Sequence, residues 1–145
     1  MGRLTWVDSG IWYDIRKMPV EMQNLYLRLL INDDGNIAGY YHLKTEYLAF
    51  SMDVEEKRLL EMLGRPTKYW KFDAGTEQVL IPKYTKYNTV NGAKQLARLN
   101  AELKKLTPCW LHAEFLKAWE ECNGIGATEL IDPKFLDATR EYISP

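Results

Sequence analysis

At 145 residues the chain is the size of one domain, or of a small domain with an appendage, and its 46% hydrophobic content suits a packed core. Lys and Arg number 19 against 20 Asp and Glu, which excludes a global field that draws the protein to phosphate or to an anionic membrane, so any basic surface has to be local. Cys109 and Cys122 have neither CxxC nor metal-ligand spacing and read as reduced, and no run approaches the roughly 20 apolar residues of a membrane span or resembles a signal peptide, so a cytoplasmic location is expected.

Pro19 fits the first position of a helix, and Met22, Leu25, Tyr26, Leu29 and Leu30 recur at the spacing that sets them on one face. The run INDDGN, residues 31–36, stops that helix with residue types that tolerate a sharp exit. IAGYYHL, residues 37–43, then reads as a short strand. In KTEYLAFSM, residues 44–52, Thr45 serves as N-cap and Leu48 and Ala49 as buried positions, which gives a helix of about two turns. Asp53 with Glu56 makes a capping-box-like start to a second helix, with Leu59, Leu60 and Leu63 as its stripe and Gly64-Arg65-Pro66 as its stop.

KYWKFDAGTEQVLIPKY, residues 68–84, sets Trp70 and Phe72 against Val79 and Ile81 across Asp73-Ala74-Gly75-Thr76. It reads as a β-hairpin, with Gly75 for a left-handed turn position and Pro82 at its end. Leu96, Leu99, Leu103 and Leu106 step by three and four along a helix starting near Asn91. The seam is short for a coiled coil, but it is a candidate interface. Thr107-Pro108 caps a further helix with Leu111, Phe115, Trp119 and Cys122 on one face, ended by Asn123-Gly124. A last helix starts at Asp132-Pro133 and directs Phe135, Leu136, Thr139, Tyr142 and Ile143 inward.

Helix, strand, helix, helix, hairpin is the element order of a winged helix-turn-helix, whose second paired helix can enter a DNA groove. The expected fold is therefore mainly α with a small β-sheet. A winged helix-turn-helix with an N-terminal arm occupies residues 1–90, and a C-terminal helical segment, residues 91–145, packs on it or forms an interface.

The runs LYLRLLINDDGNIAGYYHLKTEYLAF, residues 25–50, and FDAGTEQVLIPKYTKYN, residues 72–88, resemble the N-terminal winged-helix domain of phage and mobile-element replication proteins, the replisome-organiser and DnaD-like group of Gram-positive bacteria and their phages. Trp12, Asn32, Asp33, Asn36, Ala38, Gly39, Tyr40, Ala49 and Phe50, then Tyr84, Lys86, Tyr87 and Asn88, fall where that group has similar residues. The resemblance spans about residues 4–106, and LGRPTKYWKFD departs from the usual Gly-containing approach to the hairpin. It implies a role in starting or organising DNA replication, through contacts with DNA, with replication proteins such as a helicase or its loader, or with copies of itself.

Candidate phosphate contacts form two sets. Lys57, Arg58, Arg65, Lys68 and Lys71 run from the second paired helix into the hairpin, and Lys83, Lys86, Lys94, Arg98, Lys104 and Lys105 follow it. Such lysines also occur on ordinary solvated faces, and only convergence turns them into a binding surface. In KYTKYN, Lys83 and Lys86 alternate with Tyr84 and Tyr87, a pattern that suits backbone contact with base stacking, or else a strand leaving the core. Asp53, Glu55 and Glu56 open the second paired helix and disfavour base reading there, although carboxylates also suit a helix N-terminus.

Trp70, Trp110 and Trp119 read as core, whereas Trp6 and Trp12 lie in an arm that folds back or exchanges with a partner subunit. His42 and His112 fall in separate elements, and no GxSxG, GxxxxGK[ST] or HExxH motif is present, so neither catalysis, metal nor cofactor is expected. Three functions remain in order of preference: a replication initiation or replisome-organising protein that binds DNA with little sequence selectivity; a protein-interaction or self-association module of the same fold; and a transcriptional regulator, which would need a symmetric dimer presenting residues 53–64.

Overall fold

The computed structural model describes residues 15–32 and 37–143, so the expectations for Trp6 and Trp12 lie outside the described residues. Helix α1, Val20–Ile31, follows Pro19 and buries Met22, Leu25, Tyr26, Leu29 and Leu30, the stripe its periodicity predicts. Strand β1 is Tyr40–His42, and helices α2, Thr45–Met52, and α3, Glu56–Leu63, pack on one another. Strands β2, Lys71–Asp73, and β3, Gln78–Leu80, complete an antiparallel sheet of order β1-β3-β2. A single turn, α4 at Tyr84–Tyr87, leads to α5, Gly92–Leu103, then α6, Leu111–Asn123, and α7, Pro133–Thr139. Short 3-10 turns at Ala127–Leu130 and Arg140–Tyr142 fill in around α7.

Side-chain alternation along the strands gives the sheet two buried faces. Tyr41 and Val79, register partners, join α1, α2, α3, Trp70 and Tyr84 in one core. Tyr40 and Leu80, the neighbouring pair, face the other way into a second core with Ala38, Leu99, Leu103, Leu111, Phe115, Trp119 and Phe135. The chain is thus three layers, with the sheet in the middle. Between the layers a buried polar cluster ties sheet to helix: the Gln78 amide donates to Thr107 O at 2.8 Å, and its Oε1 accepts from Thr107 N at 2.6 Å. Beside it the Tyr40 hydroxyl meets His112 Nδ1 at 2.6 Å.

Several local expectations are corrected. Asp53 does not open α3: it closes α2 in the left-handed region, φ 56, and Glu55 is the N-cap of α3. Thr45 is the first helical residue, with Lys44 before it, and Met62 rather than the exposed Leu60 completes the stripe of α3. In the hairpin the positive φ falls on Glu77, not Gly75, because Asp73 Oδ2 accepts from both the amide and the hydroxyl of Thr76 and fixes the turn early. Residues 84–87 form a helical turn rather than a strand, since Tyr84 drops onto Gly39. A Cβ at Gly39, φ 69, would sit 2.2 Å from that of Tyr84, so only glycine allows the approach. Tyr142 and Ile143 are exposed instead of packed.

Candidate nucleic-acid interface

The connection from α3 to β2, residues 64–70, is fixed from beneath. Trp70 is buried, its indole lies tilted against Tyr26 with ring centres 6.2 Å apart, and its Nε1 donates to Leu63 O at 3.1 Å, which pins the connection to the end of α3. Beside this anchor lies a groove of about 320 Å³, lined by Leu63, Gly64, Arg65, Pro66, Thr67, Trp70, Lys71, Phe72 and Trp110. Trp110 reaches it from the N-cap of α6, across from the hairpin, and its Nε1 donates to Asp73 Oδ1 at 3.0 Å. Burial pushes the Asp73 carboxyl up, but hydrogen bonds from Thr76 and Trp110 outweigh that and hold it below its ordinary range. A charged Asp73 thus holds the Trp110 ring in one orientation.

The first basic set lies partly on this groove. Arg65 and Lys71 line it, exposed Lys68 stands in the same connection with its ammonium 5.4 Å from the centre of the Tyr69 ring, and none of the three has a carboxylate within ion-pair distance among the described residues. Lys57 is exposed on α3. Arg58 is otherwise engaged: it makes a forked contact to Glu21 of α1, at 3.2 and 2.8 Å, and approaches Glu61 at 3.8 Å. The hydrogen bond between them raises the Arg58 pKa and lowers that of Glu21, so this pair braces α3 against α1 and offers little to a phosphate.

The second basic set is split. Lys71 is the register partner of Leu80, and Lys83 follows Leu80 by three residues, so Lys71 and Lys83 belong to one end of the sheet. Lys86 is exposed on α4 with its ammonium 5.8 Å from the centre of the Tyr87 ring. Lys94 and Arg98 lie on α5, in the layer on the other face of the sheet from α3, and Arg98 pairs with Glu102 at 3.5 Å. Glu102 also accepts from Ile37 N at 2.8 Å, and Lys104 pairs with Asp132 at 3.2 Å. The two sets therefore do not form one patch: Arg65, Lys68 and Lys71 gather, and the residues of α5 stand apart.

Two aromatic expectations change. Tyr84 is buried and Tyr87 packs half-buried on the first core, so KYTKYN does not present a stacking row. Trp110, read from the sequence as core, is instead 42% exposed, whereas Trp70 and Trp119 are buried as expected. The signal was present: Trp110 precedes Leu111 by one position and so falls off the stripe of Leu111, Phe115 and Trp119. In the leucine seam, Leu99, Leu103 and Leu106 are buried in the second core and Leu96 packs half-buried against it, so intramolecular packing uses the face expected to serve as an interface. Among the described residues no group of three or more His, Cys, Asp or Glu could hold a metal ion, and no helix is long and apolar enough to cross a membrane. Comparisons of the chain with family models, with curated proteins and with solved structures found no match.

Proposed function

We propose that this chain is a DNA-replication initiation or replisome-organising protein of phage or mobile-element type, in which a winged helix-turn-helix binds DNA with little sequence selectivity. Support for the winged helix is topological: the order α1-β1-α2-α3-β2-β3 and a sheet in which β1 pairs with the second strand of the hairpin. The observation that carries DNA binding is the cluster of Arg65, Lys68 and Lys71 at the foot of the hairpin, basic and with no carboxylate within ion-pair distance among the described residues, in a molecule of net charge −1. Low selectivity follows from α3, which opens with the exposed carboxylates of Glu55 and Glu56, with that of Asp53 just before them at the end of α2, and so repels a groove-reading approach. For the same reason a transcriptional regulator is the weaker reading. The proposal involves no catalysis, metal or cofactor, and it implies a cytoplasmic location.

Fluorescence anisotropy with random-sequence DNA, titrated with salt, tests it. Three phosphate contacts predict that duplex affinity falls about 40-fold between 50 and 200 mM salt. Reversing the charge of Arg65, Lys68 and Lys71 together should abolish binding, and unchanged affinity would remove this surface from consideration. A second reading, a protein-interaction module, is favoured by Tyr47 and Phe50, which stand 73% and 87% exposed three residues apart on α2. Light scattering separates the self-associating form of that reading: a strict monomer at high concentration counts against it.

A further inference from the structure

Phosphate contact alone does not require an aromatic side chain in the groove. Trp110 is large, 42% exposed and held by its indole N–H on Asp73 at 3.0 Å, a bond made at the ring edge that leaves the ring face for other contacts. Phe72 lies half-buried on the same groove, and Arg65 and Lys71 flank it. An aromatic plane sharing a groove with two cations that have no carboxylate within ion-pair distance among the described residues is a combination that can hold an unstacked base together with neighbouring phosphates. We propose that this groove binds single-stranded DNA, one base stacking on Trp110 while Arg65 and Lys71 take the flanking phosphates. The inference rests on the DNA-binding reading above and adds to it a preference for the single strand.

Size agrees with that occupant. At about 320 Å³ the groove is at the small end of ligand sites, which run from roughly 300 to 1,000 Å³. It suits a nucleotide, and a duplex would have to extrude a base to use it. Fixing Trp110 in advance through Asp73 lowers the ordering cost on binding, which is what a stacking platform needs. The acidic start of α3 does not oppose a single strand, because the strand approaches the far end of that helix, at Leu63 and Gly64.

The test uses the intact chain and three labelled probes: oligothymidylate, a sugar-phosphate single strand of equal length without bases, and a duplex. Wild-type protein should hold oligothymidylate about tenfold more tightly than the baseless strand. Trp110→Ala should remove that advantage and weaken oligothymidylate binding severalfold more than duplex binding, and Trp110→Phe should keep most of it. Equal wild-type affinity for the baseless strand and oligothymidylate overturns the stacking site, whatever the variants do, while leaving the phosphate-contact reading in place. Equal losses on single strand and duplex in Trp110→Ala overturn it as well, since they report general damage. Failure of the wild type to bind any probe at low salt overturns both the site and the function proposed above.

Discussion

His112 and Tyr40 show how one buried contact makes the fold sensitive to acid. The imidazole is 2% exposed, stacks on Phe135 at 4.3 Å and meets the Tyr40 hydroxyl at 2.6 Å. Burial lowers the His112 pKa to about 4, and burial followed by the contact with Cys109 raises that of Tyr40, so the neutral pair is the stable one. In the unfolded chain a histidine takes up its proton near pH 6.5, so between about 6.5 and 4 the unfolded state binds the extra proton. Stability from this group is therefore complete above about pH 6.5 and is lost as pH falls toward 4, by an amount of the order of 3 kcal/mol. Asp73 and Asp132, whose carboxyls are held below their ordinary range, lose their contribution only at still lower pH. Urea unfolding at a series of pH values should show that slope in the wild type and flatten it in His112→Gln, and an equal slope in both would place the proton elsewhere.

At the scale of elements, what could be read in advance was what depends on period. The stripe of α1 lies as Met22, Leu25, Tyr26, Leu29 and Leu30 require, and the hairpin register sets Phe72 opposite Val79 as the alternation implies. Boundaries were legible only where a single residue had a single use. Asp132-Pro133 opens α7 with the Asp132 side chain accepting from Lys134 N at 2.8 Å, but Asp53 suits either the end of α2 or the start of α3. The turn at 84–87 was beyond local reading, because it depends on Gly39, forty-five positions earlier, whose missing side chain lets Tyr84 approach. The candidate site was half legible for the same reason. Arg65, Lys68 and Lys71 are close in sequence and their clustering shows there, whereas Trp110 reaches them only through the packing of α6 on the sheet. Carboxylate partners such as Glu21 for Arg58 are equally distant, so the basic residues that stay unpaired could not be told from those that do not.

The whole molecule behaves as one unit if both faces of the sheet must be covered. Residues 1–90 contain the complete α1-to-β3 order, yet Tyr40, Leu80 and Ala38 turn away from that half into a core built largely by α5, α6 and α7. Covering large side chains such as Tyr40 and Leu80 stabilises by roughly 1.5–3 kcal/mol each, and Gln78 would in addition exchange both bonds to Thr107 for water, at about 0.5–1.5 kcal/mol net for each. Those sums are comparable with the whole stability of a domain, about 5–15 kcal/mol. A fragment ending at residue 90 should therefore lose its cooperative thermal transition and bind a hydrophobic dye, while the full chain melts sharply and does not. A sharp transition in the fragment would mean that the first core suffices alone and that the C-terminal helices are an attachment. The same cut removes Trp110, so the fragment also separates charge from stacking: if it stays folded, it should keep the salt-dependent contact with DNA through Arg65, Lys68 and Lys71 and lose the preference for a strand that carries bases.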